Sequence, residues 1–154
     1  MKINIISVGK LKESYYLEAF DEYVKRLTPF CTFSLTETPE CVKLNNADEI
    51  KLAEGRNISE RLLKSKGFTV SLDRTGDTVD SQGFADIIDT GLTKSGSVNF
   101  VIGGSHGLSG DVLKQSDRVV SFGAITYPHQ LFRVILAEQI YRAFMIRANR
   151  AYHK

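Results

Sequence analysis

Five short apolar runs alternate along this chain with five stretches of helical periodicity, and that alternation constrains the fold more than any other feature. The apolar runs cover residues 3–8, 31–38, 68–72, 98–102 and 119–122. The first is broken by Gly9, the second by Pro39, and the others end in polar or glycine-rich loops. Between them, Tyr16, Leu17, Phe20, Tyr23, Val24 and Leu27 repeat at helical spacing after Ser14, a candidate cap. A polar helix follows from Asn46 or Asp48 to about Lys64, with Ile50, Ala53, Ile58, Leu62 and Leu63 as a thin apolar stripe and Gly55 weakening it. A third helix starts at Ser81 and runs through Phe84, Ile87, Ile88 and Leu92. A short one covers 109–113 and a long one 129–148. Strand and helix in strict alternation predict an α/β fold, a mostly parallel sheet with helices on both faces. A length of 154 residues fits one domain over 1–154. No repeat or linker divides the chain, and 41–46 reads as a loop.

Three strand ends stand out. The third strand stops at Leu72-Asp73 and gives way to a loop, Asp73-Arg74-Thr75-Gly76-Asp77. The fourth, in Val-Asn-Phe-Val-Ile-Gly-Gly-Ser-His-Gly-Leu (98–108), stops in Gly103, Gly104 and Gly107. The fifth runs into Phe122 to Pro128, a loop because Pro128 disfavours helix at Tyr127. Parallel strands put all three ends on one edge, where α/β sheets bind ligands. Such a pocket would hold a small molecule through main-chain groups and apolar contacts. The glycines match neither G-x-G-x-x-G nor a phosphate loop followed by Lys-Ser/Thr. Ser105, His106 and Asp111 lack the elbow of a serine hydrolase; the bland reading of His106 is a solvent-facing loop residue, and of the glycines a turn.

No stretch approaches the ~20 apolar residues of a membrane span, and residues 1–10 read as a strand, not a signal peptide. Both point to a cytoplasmic protein. Cys31 and Cys41, with no nearby histidine, read as two free thiols, without metal or disulfide. The net charge of +2 is unevenly distributed. Residues 129–154 carry five Lys/Arg against one acid, a net of +4, so the other residues hold 15 against 17, a net of −2. Basic charge at one end suggests a polyanionic partner.

The last helix is apolar nearly all round, from Leu131 and Phe132 to Met145 and Ile146, which predicts burial on two sides: its own sheet and a partner subunit in a two-fold homodimer. Glu138 and Arg142 stand four apart in the favourable order for an ion pair. Arg133 and Arg142 are alternatively candidates to hold phosphates. The closing Asn-Arg-Ala-Tyr-His-Lys (149–154) sets an aromatic, an imidazole and two cations within five residues. Such a set can stack on a base, contact phosphate and move a proton.

Four segments carry a resemblance to a known family: 100–108 (Phe-Val-Ile-Gly-Gly-Ser-His-Gly-Leu), 121–131 (Ser-Phe-Gly-Ala-Ile-Thr-Tyr-Pro-His-Gln-Leu), 133–143 (Arg-Val-Ile-Leu-Ala-Glu-Gln-Ile-Tyr-Arg-Ala) and terminal Tyr-His-Lys. Together with the opening Met-Lys-Ile and Val-Gly-Lys, they closely resemble the RlmH family over the whole chain. The resemblance implies a SPOUT (α/β-knot) methyltransferase with a C-terminal trefoil knot and a homodimer through it. It implies transfer of methyl from S-adenosylmethionine to N3 of a pseudouridine in 23S ribosomal RNA of the assembled ribosome. Carried over by motif, cofactor contacts fall on Leu72, Gly103, Phe122, Gly123, Ala124, Ile125, Thr126 and Tyr127. Tyr152 and His153 match tail residues associated with the target base, and Arg142 a helix position tied to activity. Ser105-His106 departs from the family's glycine loop.

The expectation is therefore a metal-free methyltransferase in which His153 is the candidate base, Tyr152 its orienting neighbour and Arg142 a holder of RNA. The tail is expected to reach the partner's cofactor. The alternative is a non-catalytic ribosome- or RNA-binding factor with a vestigial pocket; a small hydrolase built on Ser105, His106 and Asp111 is the third reading.

Overall fold

The computed structural model describes residues 1–152. Its elements follow the alternation: β1 (Lys2–Val8), α1 (Ser14–Leu27), β2 (Thr32–Thr38), α2 (Ala47–Lys64), β3 (Phe68–Thr78), α3 (Ser81–Ser95), β4 (Ser97–Ile102), α4 (Gly110–Lys114), β5 (Arg118–Ser121) and α5 (His129–Arg147). The five strands form one sheet in the order β2-β1-β4-β3-β5. Every neighbouring pair is parallel, so all five carboxyl ends share an edge.

Side chains alternate across the sheet as the two-residue period requires. Ile3 and Ile5 of β1, with Val98, Phe100 and Ile102 of β4, face α1, α3 and α5 in the larger core. Ile6, Val8 and Val101 face Ile58 of α2 and Val112 of α4 in a smaller one. Each large apolar side chain buried this way contributes roughly 1.5–3 kcal/mol. The second face is polar near the start of its strands. There Ser65 Oγ donates to Asn99 Oδ1 at 2.7 Å, and Ser34 Oγ donates to Asn4 Oδ1 at 3.0 Å.

Several details differ from the sequence reading. Asn46, not Asp48, caps α2, accepting from the N–H groups of Asp48 and Glu49. Ser14 is the first helical residue of α1 and caps nothing; Glu13 precedes it without a side-chain cap bond. Leu63 belongs to no apolar stripe, being 81% exposed. Gly55 does not weaken α2 but lets it approach the start of α4, because a Cβ there would collide with the Ser109 side chain. The segment 73–77 is not a free loop. β3 bulges after Leu72 and pairs with β5 again at Asp77 and Thr78, the bulge held by an Asx turn in which Thr75 N donates to Asp73 Oδ1 at 2.9 Å.

The largest correction concerns Arg133. Far from holding phosphates, it is 0% exposed. One Nη donates to Glu37 Oε1 at 3.1 Å, and the other to the carbonyls of Val8 and Gly9 at 2.7 and 3.0 Å. Burial lowers its pKa and Glu37 opposes that shift, but a guanidinium stays charged in proteins. The expected outcome for Arg133→Met is a loss of about 3 kcal/mol in urea unfolding, because buried carbonyls left unpaired cost roughly 1–3 kcal/mol each. A loss below about 1 kcal/mol would show that the guanidinium does not tie these elements together.

Candidate ligand site at the carboxyl edge of the sheet

The three strand ends singled out in the sequence converge. A cavity of about 890 Å³ lies between the bulge of β3 (Leu72, Asp73), where the sequence reading ends the strand, the glycine loop after β4 (Ile102, Gly103) and the loop before α5 (Thr126, Tyr127). A smaller one of about 110 Å³ continues from it along Phe122 and Gly123, sharing Leu72, Ile125, Tyr127 and Phe132. The larger falls in the usual size range of small-molecule sites.

The glycine loop is shaped by close approach. A Cβ on Gly103 would lie 2.7 Å from the main chain of Gly107. Gly107 itself sits at φ +84°, a left-handed conformation that favours glycine. Its N–H closes the turn on the Gly104 carbonyl at 3.0 Å. Below the loop lies buried Glu54, 3% exposed. It accepts from Cys41 N at 3.0 Å and would meet a Cβ on Gly104 at 2.7 Å. A side chain at Gly104 would have to displace the Glu54 carboxylate, which couples the loop to α2.

The loop from 122 to 128 supplies the opposite wall. Its aromatics are braced: Phe122 packs on Phe84 and Phe132 with centroids 5.2 and 5.4 Å apart, and Tyr127 on Phe132 at 5.8 Å. Beyond Gly123, whose N–H donates to Ser121 Oγ, the N–H groups of Ala124, Ile125, Thr126 and Tyr127 find no acceptor among the described residues. Four donors in a row beside an apolar wall can read the edge of a planar heterocycle. Seven of the eight expected cofactor contacts line one cavity or the other; Ala124 sits between lining residues in the same loop.

The expected catalytic residues lie elsewhere. Arg142 donates to Glu138 Oε1 from Nη2 at 2.5 Å and from Nε at 3.1 Å. Its guanidinium lies over the Tyr152 ring, 4.9 Å from the centroid. Tyr152 in turn donates its O–H to the same Glu138 oxygen at 3.2 Å and packs edge-on against Tyr141. The structure thus joins Arg142 and Tyr152 through Glu138, but neither lines the cavity of its own chain. His153 lies outside the described residues. Burial, with the Glu138 charge adding to it, pushes the Tyr152 phenol up to about 12.

Ser105, His106 and Asp111 are not assembled: the first two line the large cavity, whereas Asp111 lines a separate one against α2. His106 is exposed, as the bland reading expects. Cys31 and Cys41 are both free thiols. Among the described residues, no three His, Cys, Asp or Glu side chains are grouped to hold a metal ion. No helix is long and apolar enough to cross a membrane. Sequence reasoning missed Arg74, His129 and Phe132, which also line the large cavity. Phe132 and His129 flank the start of α5, and their nearness to the 122–128 loop was the available signal.

The family profile and the curated relatives agree on one family. The profile described as "Predicted SPOUT methyltransferase" matches residues 1–153. The ribosomal RNA large subunit methyltransferase H of Clostridium botulinum strain Hall is 44% identical over 160 residues, covering 100% of both chains. The ribosomal RNA large subunit methyltransferase H 1 of Clostridium perfringens strain SM101 is 43% identical with the same coverage. The SpoU methyltransferase AviRb from Streptomyces viridochromogenes, crystallised in complex with the cofactor AdoMet, superposes with a TM-score of 0.48 at 12% identity. That match covers 97% of this chain and 61% of the other.

Spectrophotometric titration of the tyrosines checks the Glu138 cluster. One phenol is expected to ionise near pH 12 instead of near 10, and Glu138→Gln to move it part of the way down, because burial remains the larger cause. Since the raised value belongs to the folded state, stability gained from the neutral phenol is full below pH 10 and lost as pH rises through 12. A titration that Glu138→Gln leaves unmoved would break the link between the two side chains.

Proposed function

The chain belongs to the SPOUT methyltransferase family, with the ribosomal RNA large subunit methyltransferases H as its relatives, and from that premise we propose that it transfers a methyl group from S-adenosylmethionine to 23S ribosomal RNA. The finer reading is methylation of N3 of a pseudouridine in the assembled ribosome, in the cytoplasm. One observation carries the proposal: the bulge of β3, the glycine loop after β4 and the loop before α5 meet at one cavity, walled by aromatics, where the N–H groups of Ile125, Thr126 and Tyr127 have no acceptor among the described residues.

The cofactor would be held by Leu72, Gly103 and the loop of Phe122, Gly123, Ala124, Ile125, Thr126 and Tyr127. The donor set fits it. Free N–H groups suit the adenine edge, and Leu72, Phe122 and Phe132 suit its apolar parts. The Asp73 carboxylate, 3.7 Å from where a Gly107 Cβ would lie, suits its cationic end. When bound, this cofactor supplies a methyl group on a positively charged sulfur. The chain's own part is to exclude water with the Phe122–Phe132 wall and to align the acceptor, which accounts for much of the acceleration in reactions of this kind.

The acceptor nitrogen gives up a proton as it is methylated, and His153 is proposed to take it. Tyr152 is unsuited to that role, since a phenol pushed to about 12 keeps its proton at neutral pH. Its proposed task is to stack on or orient the target base. Arg142 spends Nε and Nη2 on Glu138, which leaves Nη1 to donate to a base carbonyl or a phosphate. Arg142 and Tyr152 lie off the cavity of their own chain, so the reading includes a homodimer in which each tail serves the partner's cofactor. Leu131 and Ile135 of α5, one turn apart, half-buried and packed in neither core cluster, support such a partner. The C-terminal knot is proposed with it.

His153→Ala is expected to bind S-adenosylmethionine with near-normal affinity by calorimetry, yet to slow labelled-methyl transfer to ribosomes by roughly 100-fold or more. Normal transfer by that variant removes His153 from the mechanism, and a wild-type chain that gives no binding heat is a binding factor, not an enzyme. Sedimentation is expected to return twice the mass of one chain; a monomer at micromolar concentration would overturn the shared site.

A further inference from the structure

The loop between β1 and α1, residues 9–13, has no regular structure, yet its main chain is held at almost every position. Gly9 N donates to the Thr38 carbonyl at 2.9 Å. Leu11 N donates to Glu37 Oε1 at 2.7 Å, while Lys12 N and Glu13 N both donate to Gln130 Oε1, at 2.8 and 3.3 Å. The carbonyls of Val8 and Gly9 accept from buried Arg133. Leu11 packs against the main core. Lys10 and Lys12, on either side of it, are exposed and form no ion pair among the described residues. The one acid within the loop is Glu13.

The position of this loop gives those bonds a purpose. It follows β1, which pairs directly with β4, so it lies on the same edge of the sheet as the cavity, and a Cβ on Gly9 would stand 3.9 Å from Nε2 of His129, which lines that cavity. Gln130, which pins Lys12 and Glu13, is the neighbour of His129, a cavity-lining residue. Two lysines are thus presented from a fixed base beside the cavity. Cations held in advance lose less freedom on binding than cations on a mobile loop.

We propose that residues 9–13 form a rigid platform on which Lys10 and Lys12 contact backbone phosphates of the RNA next to the target nucleotide. The proposal rests on the ribosomal RNA methyltransferase reading above and adds a substrate-binding surface to it. Phosphate contacts of this kind set affinity and register, carry no sequence information, and weaken with salt.

The test is methyl transfer by the full chain to ribosomes from a strain lacking this protein, over a range of salt concentrations. Three proteins are compared: wild type, the double variant Lys10→Gln/Lys12→Gln, and the control Lys64→Gln/Lys66→Gln. The control removes the same charge from exposed residues at the opposite edge of the sheet. For the first variant, KM for ribosomes is expected to rise several-fold, and the slope of log(kcat/KM) against log salt to fall in magnitude by about 1 to 2. S-adenosylmethionine affinity and thermal unfolding should match wild type. A KM and slope equal to wild type overturn the proposal, as does an equal effect in the control or a parallel loss of cofactor affinity. If wild type transfers no methyl to any ribosomal RNA, the enzymatic reading falls first and the platform with it.

Discussion

Arg133 is the interaction on which the carboxyl edge of the sheet depends. Its guanidinium joins the end of β1 at Val8 and the Gly9 that follows it, the Glu37 carboxylate of β2 and the start of the second turn of α5. The chain reaches α5 from β5, at the far side of the sheet from β1 and β2. Nothing in the strand ladder holds the helix start in place, because α5 lies across the sheet and not in it. A buried charge that lost its partners would be costly, so the end of β1 and the start of α5 are confined to one relative position. Phe132 and His129, the cavity residues of α5, flank Arg133 and are confined with it.

This explains why the edge was legible in part. Parallel strands follow from alternation, and parallel strands place their ends together whatever the loops contain. Hence Leu72, Gly103 and the loop from Phe122 to Tyr127 could be grouped without a structure. Arg133 was misread because an arginine in a basic C-terminal region invites a phosphate. Its register held the correction: Arg133, Leu136, Ala137 and Ile140 fall at i, i+3, i+4 and i+7, the stripe that faces the core. Periodicity outranked composition there. The bulge in β3 had no such signal, since Asp73-Arg74-Thr75-Gly76 has loop composition and only the pairing of Asp77 with Val120 reveals the strand beyond it. The hub role of Glu138 was only half visible, because the i,i+4 rule shows Arg142 but not a tyrosine fourteen residues away.

The two ends of α5 divide the work. Its first turn is fixed in its own subunit and walls the cavity. Its later turns carry a cluster in which one carboxylate orders an arginine and a phenol, with an outer stripe left half-buried. A helix apolar on both sides leaves apolar surface against water unless something covers it. A two-fold partner would cover that stripe, and the same symmetry would carry each cluster toward the other chain's cavity, so in the proposed enzyme dimerisation and assembly of the site are one event.

A division of this kind also suits the chemistry proposed. Methyl transfer from a cationic donor disperses charge, so a pocket of main-chain dipoles and aromatic faces serves it better than ionised groups inside would. The acceptor is part of a polyanion and needs the reverse, cations outside the pocket at phosphate spacing. The rigid loop at Lys10 and Lys12 and the Glu138-ordered Arg142 meet that need from two directions, one within the subunit and one from the proposed partner. The loop's main-chain bonds and the Glu138 contacts hold Lys10, Lys12 and Arg142 outside the residues that line the cavity, whose own cations are Arg74 and Lys51, so the phosphate-binding charge sits apart from the apolar wall against which the methyl group moves.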